Sequence, residues 1–141
     1  METFDRAVHA AVAAALRDGP RGLISAYLFG GVADGRAHRE SDVDVGILLD
    51  RHIYPRTVDR FEAKLLLIGR LRAALRRDVD VVILNDAPPQ LARRIVTARH
   101  RVFAADVDTD HAFLRTVLSR AADLEPFLRR TRQIKLQALA R

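Results

Sequence analysis

The stretch that decides the fold is Tyr27–Asp50, which reads Y-L-F-G-G-V-A-D-G-R-A-H-R-E-S-D-V-D-V-G-I-L-L-D. The apolar run Leu23–Phe29 leads into it, and a second apolar run follows the pair Asp42 and Asp44. Side chains two residues apart on a strand lie on the same face of the sheet. The alternation therefore predicts that the two carboxylates project together from the start of a buried strand.

Two adjacent glycines, Gly30 and Gly31, end the first apolar run, and residues 32–41 separate them from the acids. Glycines let the backbone approach a ligand closely, and N–H groups at a following helix start suit phosphate. Neighbouring carboxylates repel each other unless a cation lies between them, and Mg²⁺ prefers oxygen ligands. A phosphate-binding bend beside an acid pair indicates phosphoryl or nucleotidyl transfer.

A third acid, Asp80, lies at the start of the next apolar run, Val79–Leu84. Three carboxylates on neighbouring strands can hold two metal ions, which stabilise the attacking and leaving oxygens of an in-line displacement. Asp78 shares a face with Asp80 and is the alternative third acid. We prefer Asp80, because it lies inside the predicted strand and Asp78 lies at its edge.

Apolar periodicity and turn residues predict an alternation of helices and strands. The predicted helices are 2–18, 57–77, about 89–99, and a long one from Thr109; the predicted strands are Leu23–Phe29, Val43–Leu49, Val79–Leu84 and a short edge strand His100–Ala104. Residues 32–40, with Arg36, His38 and Arg39, form a short helix or a loop in this interpretation. The order predicts a small α/β (α+β) domain with a core at 1–105 and a helical extension of the same domain at 106–141.

Two of the helices carry apolar stripes that we expect to face the core. On the helix 57–77 the predicted stripe is Phe61, Leu65, Ile68, Leu71 and Leu75; on the C-terminal helix it is Phe113, Val117, Ala121, Leu124 and Leu128. Pro126 is expected either to kink the C-terminal helix or to start a second one.

Composition restricts the function classes. The chain has 141 residues, 49% of them hydrophobic and 30% charged, and no cysteine, which excludes disulfides, thiolate zinc sites and cysteine catalysis. No signal pattern and no run of about 20 apolar residues is present, so we expect a cytoplasmic protein without a membrane span. The net charge is +6, but aromatic residues make up only 6% and are not interleaved with the basic clusters. Nucleic acid is therefore not expected as the direct target.

The combination of motifs resembles the minimal nucleotidyltransferases, the small members of the polymerase-β-like superfamily. Their signature is glycine–serine, about ten residues, an acid pair spaced by one residue on the next strand, and a third aspartate on the strand after it. Gly30, Gly31, Asp42, Asp44 and Asp80 match it in order and spacing. The resemblance covers about residues 20–105 and implies a small mixed sheet flanked by helices, with a C-terminal helical tail.

The segment D-L-E-P-F-L-R-R at residues 123–130 is similar to the tails of family members that act as antitoxins to HEPN-domain RNase toxins. That resemblance implies transfer of AMP from ATP to a tyrosine of the toxin, within a hetero-oligomer or a homo-oligomer. It implies that Asp42 and Asp44 bind magnesium and the nucleotide phosphates. It also implies that Asp80 binds the catalytic metal and acts as general base, and that Gly30 and Gly31 hold the β- and γ-phosphates.

The sequence departs from the family pattern at two positions. Gly31 replaces the family's serine, which removes a hydroxyl whose hydrogen bond to phosphate is worth roughly 1.5–3 kcal/mol. Asp34 stands where a basic residue is frequent, and Arg36 or Arg39 is expected to substitute for it. Two alternatives therefore remain: an antitoxin that neutralises its toxin by binding alone, and an adenylyltransferase for a small molecule of the aminoglycoside type.

Overall fold

In the computed structural model of the chain, the described residues are 2–33, 42–98 and 100–140. The helices are α1 (Glu2–Arg17), α2 (Gly30–Ala33), α3 (Thr57–Leu75), α4 (Pro89–Thr97) and α5 (Val107–Leu139); the strands are β1 (Leu23–Phe29), β2 (Val43–Leu49), β3 (Val79–Ile83) and β4 (Arg101–Ala104). A 3₁₀ turn, Leu84–Asp86, follows β3, so that strand ends one residue earlier than predicted. Of the predicted segment 32–40, residues from 34 onward lie outside the described residues.

The four strands form one mixed sheet in the order β3-β2-β1-β4. β1 is antiparallel to β2 and β4, whereas β2 and β3 are parallel. β2 is central, and all of its residues except Asp44 are buried, as its continuous apolar run predicts. The mixed sheet with flanking helices and a C-terminal helix confirms the predicted fold class.

Helices cover both faces of the sheet. On one face, α1 and α3 pack against β2 through a cluster that includes Val12, Leu16, Ile47, Leu67 and Leu71. On the other face, α4 and α5 pack through a cluster that includes Tyr27, Leu48, Leu84, Ile95 and Val117. Alternate residues of each strand therefore contribute to the two different clusters. An acid on a strand lies on the face opposite to that of its two neighbours in the chain.

The predicted apolar stripe of α3 was wrong in part. The buried side chains of this helix are Ala63, Leu67 and Leu71. Phe61 and Leu65 are each 53% exposed. The helix carries apolar residues on more than one face, so periodicity alone does not select the face that the sheet covers.

The C-terminal helix is continuous and begins two residues earlier than predicted. It begins at Val107, where Asp106 accepts a hydrogen bond from the backbone N–H of Thr109 (3.1 Å). It continues through Pro126 to Leu139, so no second helix starts at the proline. Of its predicted stripe, Val117 and Ala121 are buried, whereas Leu124 is exposed. No helix in the described parts of the chain is long and apolar enough to cross a membrane.

Candidate functional site

The parallel pairing of β2 with β3 brings two of the predicted acids together. In this register Asp44 lies directly opposite Asp80. The residues on either side of each acid, such as Val45 and Val81, are buried in the core under α1 and α3. Both carboxylates therefore project from the opposite face of the sheet, and Asp42 precedes Asp44 by two residues on the same side.

The electrostatics of Asp44 show how close these charges are. Burial raises the pKa of the Asp44 carboxyl above its ordinary value, and the neighbouring carboxylates of Asp80 and Asp42 raise it further. Asp42 and Asp80 are exposed, and Asp44 is half-buried. No residue in the described ranges donates a hydrogen bond to any of the three. Among the described residues, the negative charges are thus concentrated without a compensating donor or cation.

The described side chains do not enclose a metal ion by themselves. Among the side chains that the structure describes, in residues 6–31, 42–98 and 100–140, no three histidine, cysteine, aspartate or glutamate residues are arranged to hold one. Mg²⁺ usually takes one or two carboxylates from the protein and completes its ligands with substrate phosphates and water. The carboxylate pair of Asp42 and Asp44 fits that ligand preference.

Gly30 connects the bend at the end of β1 with the acids. Its φ of +74° is in the left-handed region, which favours glycine. A Cβ at this position would collide with Oδ2 of Asp44. Two independent reasons therefore favour glycine at position 30: the left-handed backbone conformation and the close contact with the Asp44 carboxylate. Gly31, the next residue of α2, is half-buried beside it.

The other candidates of the sequence analysis lie elsewhere. Asp78 forms an exposed ion pair with Arg72 of α3 (3.1 Å), whereas Asp80 is the acid in register with Asp44. Asp34, with Arg36, His38 and Arg39, lies outside the described residues. The geometry thus groups Gly30, Asp42, Asp44 and Asp80, and their chemical roles stay predictions.

Sequence reasoning missed a buried polar network around Asp110, which is 1% exposed. Its carboxylate accepts hydrogen bonds from Ser25 Oγ (2.6 Å), from Tyr27 Oη (2.7 and 2.6 Å) and from Arg101 Nη1 (2.9 Å). Burial and the Asp110 carboxylate raise the pKa of Tyr27. The network anchors α5 to the sheet. A signal was present in the two hydroxyl side chains, Ser25 and Tyr27, inside an otherwise apolar buried strand.

A cavity of about 530 Å³ lies at the opposite end of β2 from the acids. Its lining includes Asp50, His52, Asn85, Phe113 and Arg120. Between the two places, Ile95 packs onto Gly46, where an added Cβ would lie 2.8 Å from Ile95 Cγ2. Helix α4 thus separates this cavity from the acid cluster.

Asp42 and Asp44 at the start of the inner strand β2, Asp80 in register on the parallel neighbour and the Gly30 bend against Asp44 form the arrangement expected of a nucleotidyltransferase of the polymerase-β type. Residues 17–108, more than half of the chain, match the family model for Polymerase beta, Nucleotidyltransferase. The chain belongs to this family, which confirms the resemblance drawn from the sequence.

Relatives of the chain are similar over most of its length. Protein adenylyltransferase MntA of Shewanella oneidensis is 32% identical over 102 residues, which is 72% of this chain and 69% of that protein. A chain in a crystal structure of a toxin–antitoxin complex with AMP-PNP is 28% identical to this chain with a TM-score of 0.69. The match covers 94% of this chain and 98% of the matched one. A chain in the structure of tri-AMPylated Shewanella oneidensis HEPN toxin in complex with MNT antitoxin is 23% identical to this chain with a TM-score of 0.65. The match covers 97% of this chain and 99% of the matched one. At that identity the last similarity supports the fold alone.

Proposed function

We propose that this chain is a magnesium-dependent protein adenylyltransferase that transfers AMP from ATP to a hydroxyl of a HEPN-type toxin and so acts as its antitoxin. The observation that carries the proposal is the register of Asp44 with Asp80, beside Asp42 and the Gly30 bend. The similarity to a protein adenylyltransferase and to a toxin–antitoxin structure with AMP-PNP supports the nature of the acceptor. We place the reaction in the cytoplasm, where ATP is available.

The acid pair is the proposed magnesium site. Asp42 and Asp44 supply the carboxylates. Burial and the neighbouring carboxylates raise the pKa of Asp44, and a cation beside them would offset the repulsion between the carboxylates. When bound, magnesium neutralises charge on the phosphates and orients them. Two ions are expected, the second of them held with the help of Asp80. ATP is the substrate, and Gly30 and Gly31 would offer backbone N–H groups to its β- and γ-phosphates.

Asp80 is the proposed general base for the acceptor hydroxyl, a tyrosine in the family resemblance. It takes the hydroxyl proton while the oxygen forms a bond to the α-phosphorus of ATP. The bond from the α-phosphorus to the bridging oxygen breaks, and pyrophosphate leaves with that oxygen. Asp80 is exposed, so an acceptor from another protein chain can reach it.

The test is label transfer from radioactive ATP to the toxin encoded beside this chain, in the presence of Mg²⁺. We expect the wild-type chain to label the toxin and the double variant Asp42→Asn/Asp44→Asn to do so about 1,000-fold more slowly, since several kcal/mol of charge stabilisation is lost. Absence of label with the wild type, or equal label with the variant, would refute the proposal.

A second candidate is an antitoxin that neutralises by binding alone. The observation that favours it is Gly31, because glycine lacks the hydroxyl that the family's serine offers to the terminal phosphate. The discriminating measurement is growth of cells that express the toxin. Protection by the double aspartate variant equal to that by the wild type would favour binding alone over catalysis.

A further inference from the structure

We propose that the acceptor protein docks as an extended segment in a groove along the open edge of β3, with an apolar side chain held between α3 and α4. This inference rests on the proposed function, because it assigns the place from which a protein hydroxyl reaches Asp80. It names a binding surface that is separate from the nucleotide and metal ligands.

The groove has a volume of about 300 Å³. Helix α3 forms one wall, the segment that leads into α4 forms the other, and β3 forms the floor. The residues that line it are Thr57, Phe61, Lys64, Val82, Ile83, Asp86, Ala87, Pro88 and Leu91. Phe61 is 53% exposed at this groove, which is a large apolar area for a side chain without a partner.

The floor of the groove is an edge strand. Within the part of the chain that the structure describes, β3 forms strand hydrogen bonds with β2 alone. The outer side of an edge strand presents backbone N–H and C=O groups that can pair with a further extended chain. An extended acceptor segment is therefore the occupant whose backbone chemistry matches the groove.

The groove is continuous with the acid cluster along β3. Val82 in the groove and Asp80 in the cluster are two residues apart on one face, a distance of about 7 Å along the strand. A segment anchored beside Val82 therefore passes Asp80 within two or three residues. A general base must lie about 3 Å from the hydroxyl that it deprotonates, so this placement meets the requirement of the reaction.

One wall of the groove is held in place before any partner binds. Arg60 of α3 donates two hydrogen bonds to Asp86, from Nε (2.9 Å) and from Nη2 (2.8 Å), and a third from Nη1 to the carbonyl of Tyr54 (2.9 Å). These bonds tie α3 to the turn after β3. A preformed groove loses less ordering entropy on binding. Lys64 forms no ion pair with any described residue, so an acidic side chain next to the apolar anchor complements the groove.

The experiment measures initial rates of AMP transfer at varied toxin concentration, with full-length chain, ATP and Mg²⁺. We expect Phe61→Ser to raise KM for the toxin about tenfold or more, as loss of an aromatic anchor does, and to leave kcat and KM for ATP unchanged. Leu66→Ser is the matched control, since Leu66 is 72% exposed on the same helix but does not line this groove. Its kinetics should stay within about twofold of wild type.

Lys64→Glu provides a second probe that does not remove apolar contacts, and it should also raise KM for the toxin and not KM for ATP. The thermal unfolding midpoint of each variant checks its fold. If the wild type labels the toxin and both groove variants match its KM, the groove inference is overturned while the proposed function stands. If the wild type labels nothing, the proposed function fails and this inference fails with it.

Discussion

Asp44 and Asp110 both lie on the α4 and α5 side of the sheet, yet their surroundings are opposite. Asp110 is almost fully buried, and two hydroxyls and a guanidinium donate to it. Asp44 is only half-buried, burial and the neighbouring carboxylates of Asp80 and Asp42 raise its pKa, and no described residue donates to it. The hydrogen-bonding capacity of Asp110 is satisfied within the protein, whereas Asp44 has no donor among the described residues.

The difference shows that depth of burial does not mark the functional acid in this molecule. A buried carboxylate is costly unless hydrogen bonds and a cation compensate it, and the partners of Asp110 do so. No described residue compensates the acid cluster in this way, so the proposed cation would lower its energy. We therefore propose that Asp110 stabilises the fold and that Asp44 binds a ligand. The following predictions test this difference in role.

The largest expected effect is on catalysis. Asp44→Asn should slow AMP transfer about 1,000-fold, because the proposed metal ligand loses its charge, and should not lower the unfolding midpoint in metal-free buffer. Transfer rates and thermal unfolding of the same preparation measure both parts. An unfolding midpoint far below that of the wild type would show instead that Asp44 stabilises the fold.

The next effect is on stability. Asp110→Ala should lower the free energy of unfolding by about 3 kcal/mol, because the buried Tyr27 and Ser25 hydroxyls lose their acceptor. Urea unfolding measures this change, and AMP transfer per folded molecule should be retained. Asp108→Ala is the matched control, an exposed acid in the same first turn of α5, and should cost less than about 1 kcal/mol. Equal losses for the two variants would show that the network contributes little.

The smallest effect is the pH dependence of stability. The pKa of Asp44 is raised in the folded state above its ordinary 3.8. Ionisation of this group therefore lowers the free energy of unfolding of the wild type. In metal-free buffer the stability of the wild type relative to Asp44→Asn should fall as the pH rises above 3.8 through the folded-state pKa of Asp44. The change should be less than about 1 kcal/mol, since solvent screens a partly exposed group. Unfolding midpoints of both proteins across this range measure it, and a difference that grows in favour of the wild type would contradict the assignment.

Several features followed from local sequence. The alternation of Asp42 and Asp44 with valines predicted a common face for the two acids, and the continuous apolar run of β2 predicted a buried strand. Gly30 at the end of β1 predicted the bend. The buried face of α3 could not be predicted from the sequence, because that helix has apolar residues around much of its circumference. In the structure the buried residues are Ala63, Leu67 and Leu71.

The sequence by itself determined the elements, the faces of the strand acids and the position of the glycine bend, because two-residue and four-residue periodicities are local properties of the chain. Tertiary structure alone decided the pairing of Asp44 with Asp80 and the four-residue network of Asp110. Ser25 and Asp110 are 85 residues apart in sequence, and the contact exists only because α5 packs across β1. Such long-range contacts depend on strand register and helix packing, which no short stretch of sequence encodes.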